Sequence, residues 1–336
     1  MKAYQVTSHA GFDGIKLIDI PTPEPKAGEV LVRVRATSLN YRDTIIPNGG
    51  YPRNQTLPVI ALSDMAGEVA AVGEGVTAFQ PGDRVAANFL RDWITGPISE
   101  AALHTGLGGS IDGVLAEYVA LPAQSWVRIP AHLSFEEAAT LPCAALTAWN
   151  ALTASGIKAG DRVLLLGTGG VSVFGLQFAK MFGAEAIVTS SSDDKLAQAR
   201  DLGADHTVNY RANSEWHEAV RQITGGEGVD IVVEVGGPGT FERSIQSTRV
   251  GGTIALIGLL DMPEQQPSIL PVLLNAQTVR GIYVGSVEKH AAMNRAIGVN
   301  GLKPVIDRVF GFDETRAAYD YFASQKHVGK VVIRVA

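Results

Sequence analysis

Two periodicities divide this chain. Over its first third, apolar and polar residues alternate in short runs. Ile15–Ile20 alternates, Glu29–Ala36 (Glu-Val-Leu-Val-Arg-Val-Arg-Ala) does so strictly, and Gly67–Val72, Arg84–Ala87 and Ala116–Leu121 read as further strands. Successive side chains of a strand face opposite ways, so such runs predict half-buried strands, and their close spacing predicts a small barrel-like β domain. Pro21-Thr22-Pro23-Glu24-Pro25 makes a stiff extended corner, because proline fixes its own φ and restricts the residue before it. Asn88–Gly113 is a Gly-rich loop carrying Trp93 and Pro97. A substrate lid and an ordered surface insertion both fit it.

From Ser134 the pattern turns helical. Ser134-Phe135-Glu136-Glu137 has the form of a capping box, followed by apolar Ala138, Leu141, Leu146, Trp149 and Leu152. Strands and helices then alternate. Strands are expected at Val163–Leu166, Ala186–Thr189, His206–Asn209, Val229–Val235 and Gly252–Ile257. Helices are expected after the Gly167–Gly170 turn up to Gly183, and at Lys195–Leu202, Ser214–Ile223 and Thr240–Ser247. Val279–Val284 reads as a further strand, Asp313–Ala323 as a helix and Val331–Val335 as a last strand. Alternation of this kind predicts an α/β doubly wound parallel sheet. The tail is expected to return to the β domain. Two crossings between lobes would give a hinged cleft of the kind where ligands bind.

The stretch Val163–Leu176 carries the most chemistry. A charge-free apolar strand runs into Gly167-Thr168-Gly169-Gly170-Val171-Ser172 and then into a helix. Glycine lets the backbone bend tightly and lets a pyrophosphate approach, while the helix start offers free N–H groups and a positive dipole end. The pattern lacks the third glycine of G-x-G-x-x-G, and glycine turns also join strands to helices without any ligand. The βαβ alternation on both sides favours a dinucleotide site.

With 336 residues the chain has room for two domains, each with its own core. Its 46% hydrophobic and 18% charged residues are ordinary for a soluble globular protein, and a net charge of −6 without a basic run argues against nucleic acid and anionic membranes. The single cysteine excludes an intramolecular disulfide framework and fits a reducing compartment. Met1-Lys2-Ala3-Tyr4-Gln5 is too polar for a signal peptide. A cytoplasmic location is the expectation.

Several stretches, in order, resemble the medium-chain dehydrogenase/reductase superfamily. They are Gly28–Val32, Ser38-Leu39-Asn40-Tyr41-Arg42-Asp43, Asp64–Val69, Phe79–Val85, Pro142–Trp149, the glycine turn, Leu202–Asp205 and Gly329–Val332. The zinc-free branch, with its quinone and enone reductases, is the nearest likeness. Zinc-free alcohol dehydrogenase-like proteins stand close by. The resemblance implies a GroES-like β-barrel catalytic domain at 1–126 and 287–336, and a Rossmann-type domain at 127–286. In zinc-dependent relatives Cys, His and Cys hold the metal, with an acid nearby. Asn40 stands at the first Cys position, Leu62-Ser63-Asp64 at Gly-His-Glu, and only Cys143 at the second Cys position. The long loop has no cysteine for a structural zinc lobe. No zinc is expected, and Cys143 reads as a buried small apolar residue.

The resemblance also implies site residues. Asn40, Tyr51 and Asp64 are the catalytic candidates, Tyr51 matching a family tyrosine near the nicotinamide. A structural role fits Tyr41 and Asp43 equally well, and Arg42 replaces a relay hydroxyl. For the cofactor, Thr147, the turn Gly167 to Ser172, Gly236, Ile257, Gly258, Leu259, Tyr283, Val284 and Lys330 are expected. No acid ends the second strand of the βαβ unit, where NAD-selective sites place one. Ser190, Ser191, Lys195 and Tyr210 suit a 2′-phosphate instead, so NADP(H) is favoured over NAD(H). Helix capping by Ser191 or Ser192, with a solvated Lys195, is the competing account. The leading function is an NADPH-dependent reductase of quinones or α,β-unsaturated carbonyls. The alternatives are zinc-independent alcohol dehydrogenase or aldehyde-ketone reductase chemistry, and an NADPH-binding redox sensor without turnover. A homodimer joined through Val279–Val284 is expected.

Overall fold

A computed structural model describes residues 1–51, 57–258 and 267–335. They form two compact units, Met1–Leu146 with Val284–Ala336, and Thr147–Tyr283. The first unit opens with β1 (Lys2–Val6), β2 (Ile15–Asp19), β3 (Glu29–Ser38), β4 (Val59–Ile60), β5 (Asp64–Val72), β6 (Arg84–Ala87), β7 (Tyr118–Pro122) and β8 (Trp126–Arg128). The second contains β9 (Arg162–Leu166), β10 (Glu185–Ser190), β11 (His206–Asn209), β12 (Val229–Glu234), β13 (Thr248–Leu256) and β14 (Thr278–Gly281). The chain then returns to the first with β15 (Ile306–Gly311) and β16 (Lys330–Arg334).

The strictly alternating segment is the spine of the first unit. β3 pairs antiparallel with β5, β7 and β16. Its Val30, Val32 and Val34 enter a core with Leu39, Met65, Val85, Trp126 and Tyr319, each such side chain contributing about 1.5–3 kcal/mol by leaving water. Residues 127–146, expected with the second domain, pack here. The edge of β6 needs a hydrogen-bonding partner, and β8 supplies it, setting Val127 opposite Ala86. The Ser134 box forms as expected: Ser134 N–H donates to Glu137 and Glu137 N–H to Ser134 Oγ. A π-helical turn, Leu141–Ala145, follows before the helix Leu146–Ala154.

The second unit is a parallel sheet in the order β11-β10-β9-β12-β13-β14. Val163, Leu164 and Leu165 are fully buried, as a strand covered on both faces must be. Strand order reverses between β9 and β12, so the turns leaving their carboxyl ends flank a topological switch point, where open α/β sheets bind ligands. β14 is shorter than the expected 279–284 strand. Val284 has φ +39°, a left-handed conformation that cannot continue extended pairing. The helix Val287–Asn300 and the strands β1, β4, β8 and β15 lie where the sequence pattern predicts nothing. Among the described residues, no helix is long and apolar enough to cross a membrane.

Candidate cofactor and substrate sites

In the second unit the glycine turn takes the shape its residues allow. Gly167 has φ +78° and donates its N–H to Thr189 O at 2.9 Å. Gly169 caps the helix Gly170–Met181, and a Cβ on either glycine would meet nothing within 4 Å. The turn therefore has open space at both glycines. Thr168 is buried, Val171 in the helix's first turn is half-buried, and Ser172 at the missing-glycine position is also buried. Its hydroxyl donates to Leu166 O at 2.6 Å and ties the helix to the strand end. Close helix–strand approach falls to Gly175, where a Cβ would stand 2.6 Å from Leu165 Cδ2.

The expected 2′-side residues share one edge. Ser190 ends β10, and its carbonyl accepts the Tyr210 N–H at 3.0 Å, just past β11. Ser191 is half-buried, and Tyr210 is 41% exposed. Ser192 caps the helix Asp193–Asp201, accepting the Lys195 N–H at 3.5 Å. Asp193 accepts from the Asn209 side-chain amide at 2.8 Å, which occupies part of the nearest negative charge.

Glu234, which the sequence pattern does not single out, closes β12 with no exposed surface. Its Oε1 accepts the N–H groups of Gly236 and Gly237 at 2.7 and 2.9 Å and the Thr240 hydroxyl at 2.7 Å, while Ser244 donates to Oε2. Its backbone carbonyl accepts from Ile257 and Gly258. One residue thus fixes two of the turns expected to face the cofactor, its carboxylate the first and its backbone carbonyl the second. A charge ending an apolar strand before Gly-Gly-Pro-Gly was the available signal. Leu259 lies outside the described residues. Thr147, buried, opens the second unit, which Tyr283 ends; Val284 begins the return.

In the first unit, Asn40 and Asp64 face Lys330, and Ser63 and Cys143 hold Asp64. The Lys330 ammonium donates to Leu39 O and Asn40 Oδ1, both at 2.6 Å, and lies 3.8 Å from Asp64 Oδ2. Asp64, without exposed surface, accepts the Ser63 hydroxyl at 2.7 Å and the Cys143 N–H at 3.1 Å. Burial pushes its carboxyl above the usual range, against the pull of Lys330, the Ser63 hydroxyl, the Asn40 amide and the Cys143 N–H. The Asn40 Nδ2 adds to that pull without a hydrogen bond of ordinary geometry, and solvent does not reach it. Cys143, expected to be buried, is half-buried, and desolvation of its thiol and then Asp64 push it up. Asp43, capping the helix Tyr41–Ile45, accepts the Asn40 N–H at 2.7 Å. Burial pushes it up to about 6, opposed by Arg42 and that N–H.

Tyr51 is the one catalytic candidate left half-buried. The Arg42 guanidinium lies 5.0 Å from its ring centre and 4.7 Å from that of Phe89, and donates to Leu107 O at 2.7 Å.

Known proteins fit this architecture. Residues 26–131 match the alcohol dehydrogenase GroES-like domain, and residues 170–298 match the zinc-binding dehydrogenase domain. A zinc-type alcohol dehydrogenase-like protein of Schizosaccharomyces pombe is 46% identical, over 97% of this chain and 96% of that one. The structure of a putative alcohol dehydrogenase from Sinorhizobium meliloti is 41% identical with TM-score 0.91, covering all of both chains. That of an NAD-dependent alcohol dehydrogenase is 35% identical with the same score and coverage. At 29% identity stand the acryloyl-coenzyme A reductase of Metallosphaera sedula, over 99% of both chains, and a mycobacterial structure complexed with NADPH, TM-score 0.83 over all of both. The chain belongs to the medium-chain dehydrogenase/reductase superfamily. It is an NAD(P)-dependent oxidoreductase.

The zinc in one matched family's name can be tested against the donors. Among the described residues no group of three or more His, Cys, Asp or Glu stands together as a metal site. The residues at the ligand positions offer the Asn40 amide, the Ser63 hydroxyl and the Cys143 thiol, with the Asp64 carboxylate beside them, whereas zinc is held by thiolate, imidazole or free carboxylate. The Lys330 ammonium already takes the amide oxygen and faces the carboxylate. This donor set does not suit zinc.

Proposed function

We propose that the enzyme reduces a quinone or an α,β-unsaturated carbonyl with NADPH and without zinc. The observation that carries this reading is the buried lysine at the centre of Asn40, Asp64 and Cys143. With a cation of the protein's own there, a substrate oxygen must be polarised by hydrogen-bond donors. When bound, the cofactor supplies the hydride. The Gly167–Gly170 turn and the helix it starts bind the pyrophosphate, and Ser190, Ser191, Lys195 and Tyr210 bind the 2′-phosphate. Asn40 and Asp64, shut in the lysine network, shape the first unit's site from beneath. Tyr51 donates a hydrogen bond to the developing enolate or phenolate oxygen and then the proton, so hydride and proton together complete a two-electron reduction. One such donor is worth about 3–4 kcal/mol in the transition state.

A second reading, interconversion of alcohols and carbonyls, is favoured by the names of the 46% and 41% identical relatives. The cofactor is a separate question, since relatives include a protein described as NAD-dependent and one complexed with NADPH. The experiment is consumption of NADPH and of NADH with quinones, enones, aldehydes and ketones, with product analysis. Saturated carbonyl or hydroquinone products with NADPH support the proposal. Turnover confined to aldehydes, or dependent on added zinc, overturns it.

We further propose a homodimer joined through β14. All four of its residues are exposed at the sheet edge, and the segment before it in the chain exposes Ile269, Leu270, Leu273 and Leu274 by 56–75% each. An edge with unpaired hydrogen-bonding groups and an apolar flank suits pairing with a twin.

A further inference from the structure

We propose that Arg42 is a positioning residue for Tyr51, and that Gly109 exists to make room for it. This rests on the reading of Tyr51 as the proton donor.

Arg42 is the second residue of the short helix Tyr41–Ile45, and only 8% of it is exposed. A buried guanidinium must have acceptors and a counter-charge. Its Nη1 donates to Leu107 O, and the adjacent buried carboxyl of Asp43 supplies negative charge. The guanidinium also lies over two rings, Phe89 and Tyr51. Phe89 is 2% exposed and fixed, whereas Tyr51 is half-buried at the edge of the core. The flat cation therefore works as a shelf, with the buried ring and a backbone carbonyl fixing its position and the half-buried ring resting on it. A guanidinium over an aromatic face attracts the ring electrostatically, and the attraction grows when both are out of water. The tyrosine thereby loses freedom that a proton donor must not have, because a misplaced donor forfeits much of its effect.

Gly109 is the independent observation. Its φ is not in the left-handed region, so its backbone does not demand glycine. A Cβ there would stand 2.1 Å from Arg42 Nη2 and 3.5 Å from Ile46 Cδ1, and the backbone is not among its nearest contacts. The atom that must yield is the tip of a flexible side chain. Gly109→Ala should therefore move the guanidinium while leaving the fold intact.

The test compares wild type with Tyr51→Phe, Arg42→Met, Arg42→Lys, Gly109→Ala and the pairs Tyr51→Phe/Arg42→Met and Tyr51→Phe/Gly109→Ala. Turnover is read with the best quinone or enone, and cofactor affinity by fluorescence titration with NADPH. Tyr51→Phe should lower kcat about 100-fold, the low end for a lost general acid. Arg42→Met and Gly109→Ala should each lower kcat about 3- to 30-fold, as expected for a desolvated cation–ring contact. NADPH affinity should stay within about twofold, and Arg42→Lys should fall between wild type and Arg42→Met. On the Tyr51→Phe background neither change should cost more than about twofold further, since the group being positioned is gone. Full additivity would overturn the proposal, as would weakened NADPH binding with intact kcat. If Arg42→Met fails to fold, Gly109→Ala decides alone. If Tyr51→Phe leaves kcat unchanged, the proton-donor reading falls. A loss in Tyr51→Phe with none in Gly109→Ala or Arg42→Met sinks the Arg42 inference only.

Discussion

The Thr240 hydroxyl donates to Glu234 Oε1 at 2.7 Å, the same oxygen that accepts the N–H groups of Gly236 and Gly237. A single buried carboxylate thus sets the turn after β12. Glu234→Ala would leave the buried Gly237 N–H and the part-buried Gly236 N–H without this acceptor, at a cost of about 1–3 kcal/mol for a buried one. We expect a loss of about 3 kcal/mol in urea unfolding and weaker cofactor binding. Glu234→Gln keeps one oxygen for the three donors and should lose about 1 kcal/mol. Equal losses in the two variants would show that charge, not hydrogen bonding, holds the turn.

What the sequence discloses about this molecule follows from range. The glycine turn is legible because strand, turn and helix are contiguous, and each residue's conformational need shows in its type. The lysine network is not: Lys330 meets Asn40 across 290 residues, and no local pattern couples them. Arg42 reads only as a break in a relay until Phe89 is seen beside it. The helix Val287–Asn300 escapes because its buried face carries His290 and Asn294, two polar residues within the apolar stripe of Met293 and Ile297. Ser286, which caps it by accepting the Lys289 N–H, and Gly301 with φ +61° were the signals available.

Asp43 gives the protein a pH-dependent strain. Its folded-state carboxyl is raised to about 6 by burial, so the folded protein binds a proton that the unfolded chain releases near 3.9. The sign follows: its cost is absent below about pH 4 and grows as pH rises through 6, reaching about 3 kcal/mol. Asp43→Asn keeps an acceptor for the Asn40 N–H and removes the ionisation. The variant's stability relative to wild type should therefore improve between pH 4.5 and 7, by about 2–3 kcal/mol in denaturant titrations. His290, lowered to about 3 by burial, acts in the opposite sense but equally in both proteins. A difference between them that is flat with pH would refute the assignment.

Metal content follows from the donor set around Lys330. Protein purified without chelators should carry well under one zinc per chain by elemental mass spectrometry, and chelation should leave turnover unchanged. Stoichiometric zinc whose removal abolishes activity would require Lys330 to leave its partners, and would overturn the reading.

The exposed edge makes its own claim. Light scattering at micromolar concentration should give twice the chain mass. Leu273→Lys, adding a charge where the side chain is 75% exposed, should produce monomers with an unchanged fold. A wild-type monomer, or a variant that remains dimeric, would place the interface elsewhere or remove it.

Cofactor choice is the sharpest test of the second unit. If Lys195 holds a 2′-phosphate, Lys195→Ala should weaken NADPH binding and leave NADH nearly untouched. A charge-assisted hydrogen bond contributes about 1.5–3 kcal/mol, so the dissociation constant should rise about 10- to 150-fold. The effect should shrink with added salt, because a phosphate at an exposed edge is screened. A carboxylate placed nearby should act in the same direction on NADPH and favour NADH. Ser191 is the better position for it, being half-buried, whereas Ser190 is 3% exposed and accepts the Ser192 N–H at 3.4 Å. The measurement is a pair of titrations, NADPH and NADH, on wild type, Lys195→Ala and Ser191→Asp. Asp193 and Asp194 at the start of the same helix work against the phosphate, so only a cation there can tip the balance. A wild-type preference for NADH, or equal losses for both cofactors in Lys195→Ala, would reduce Lys195 to a residue of the helix surface.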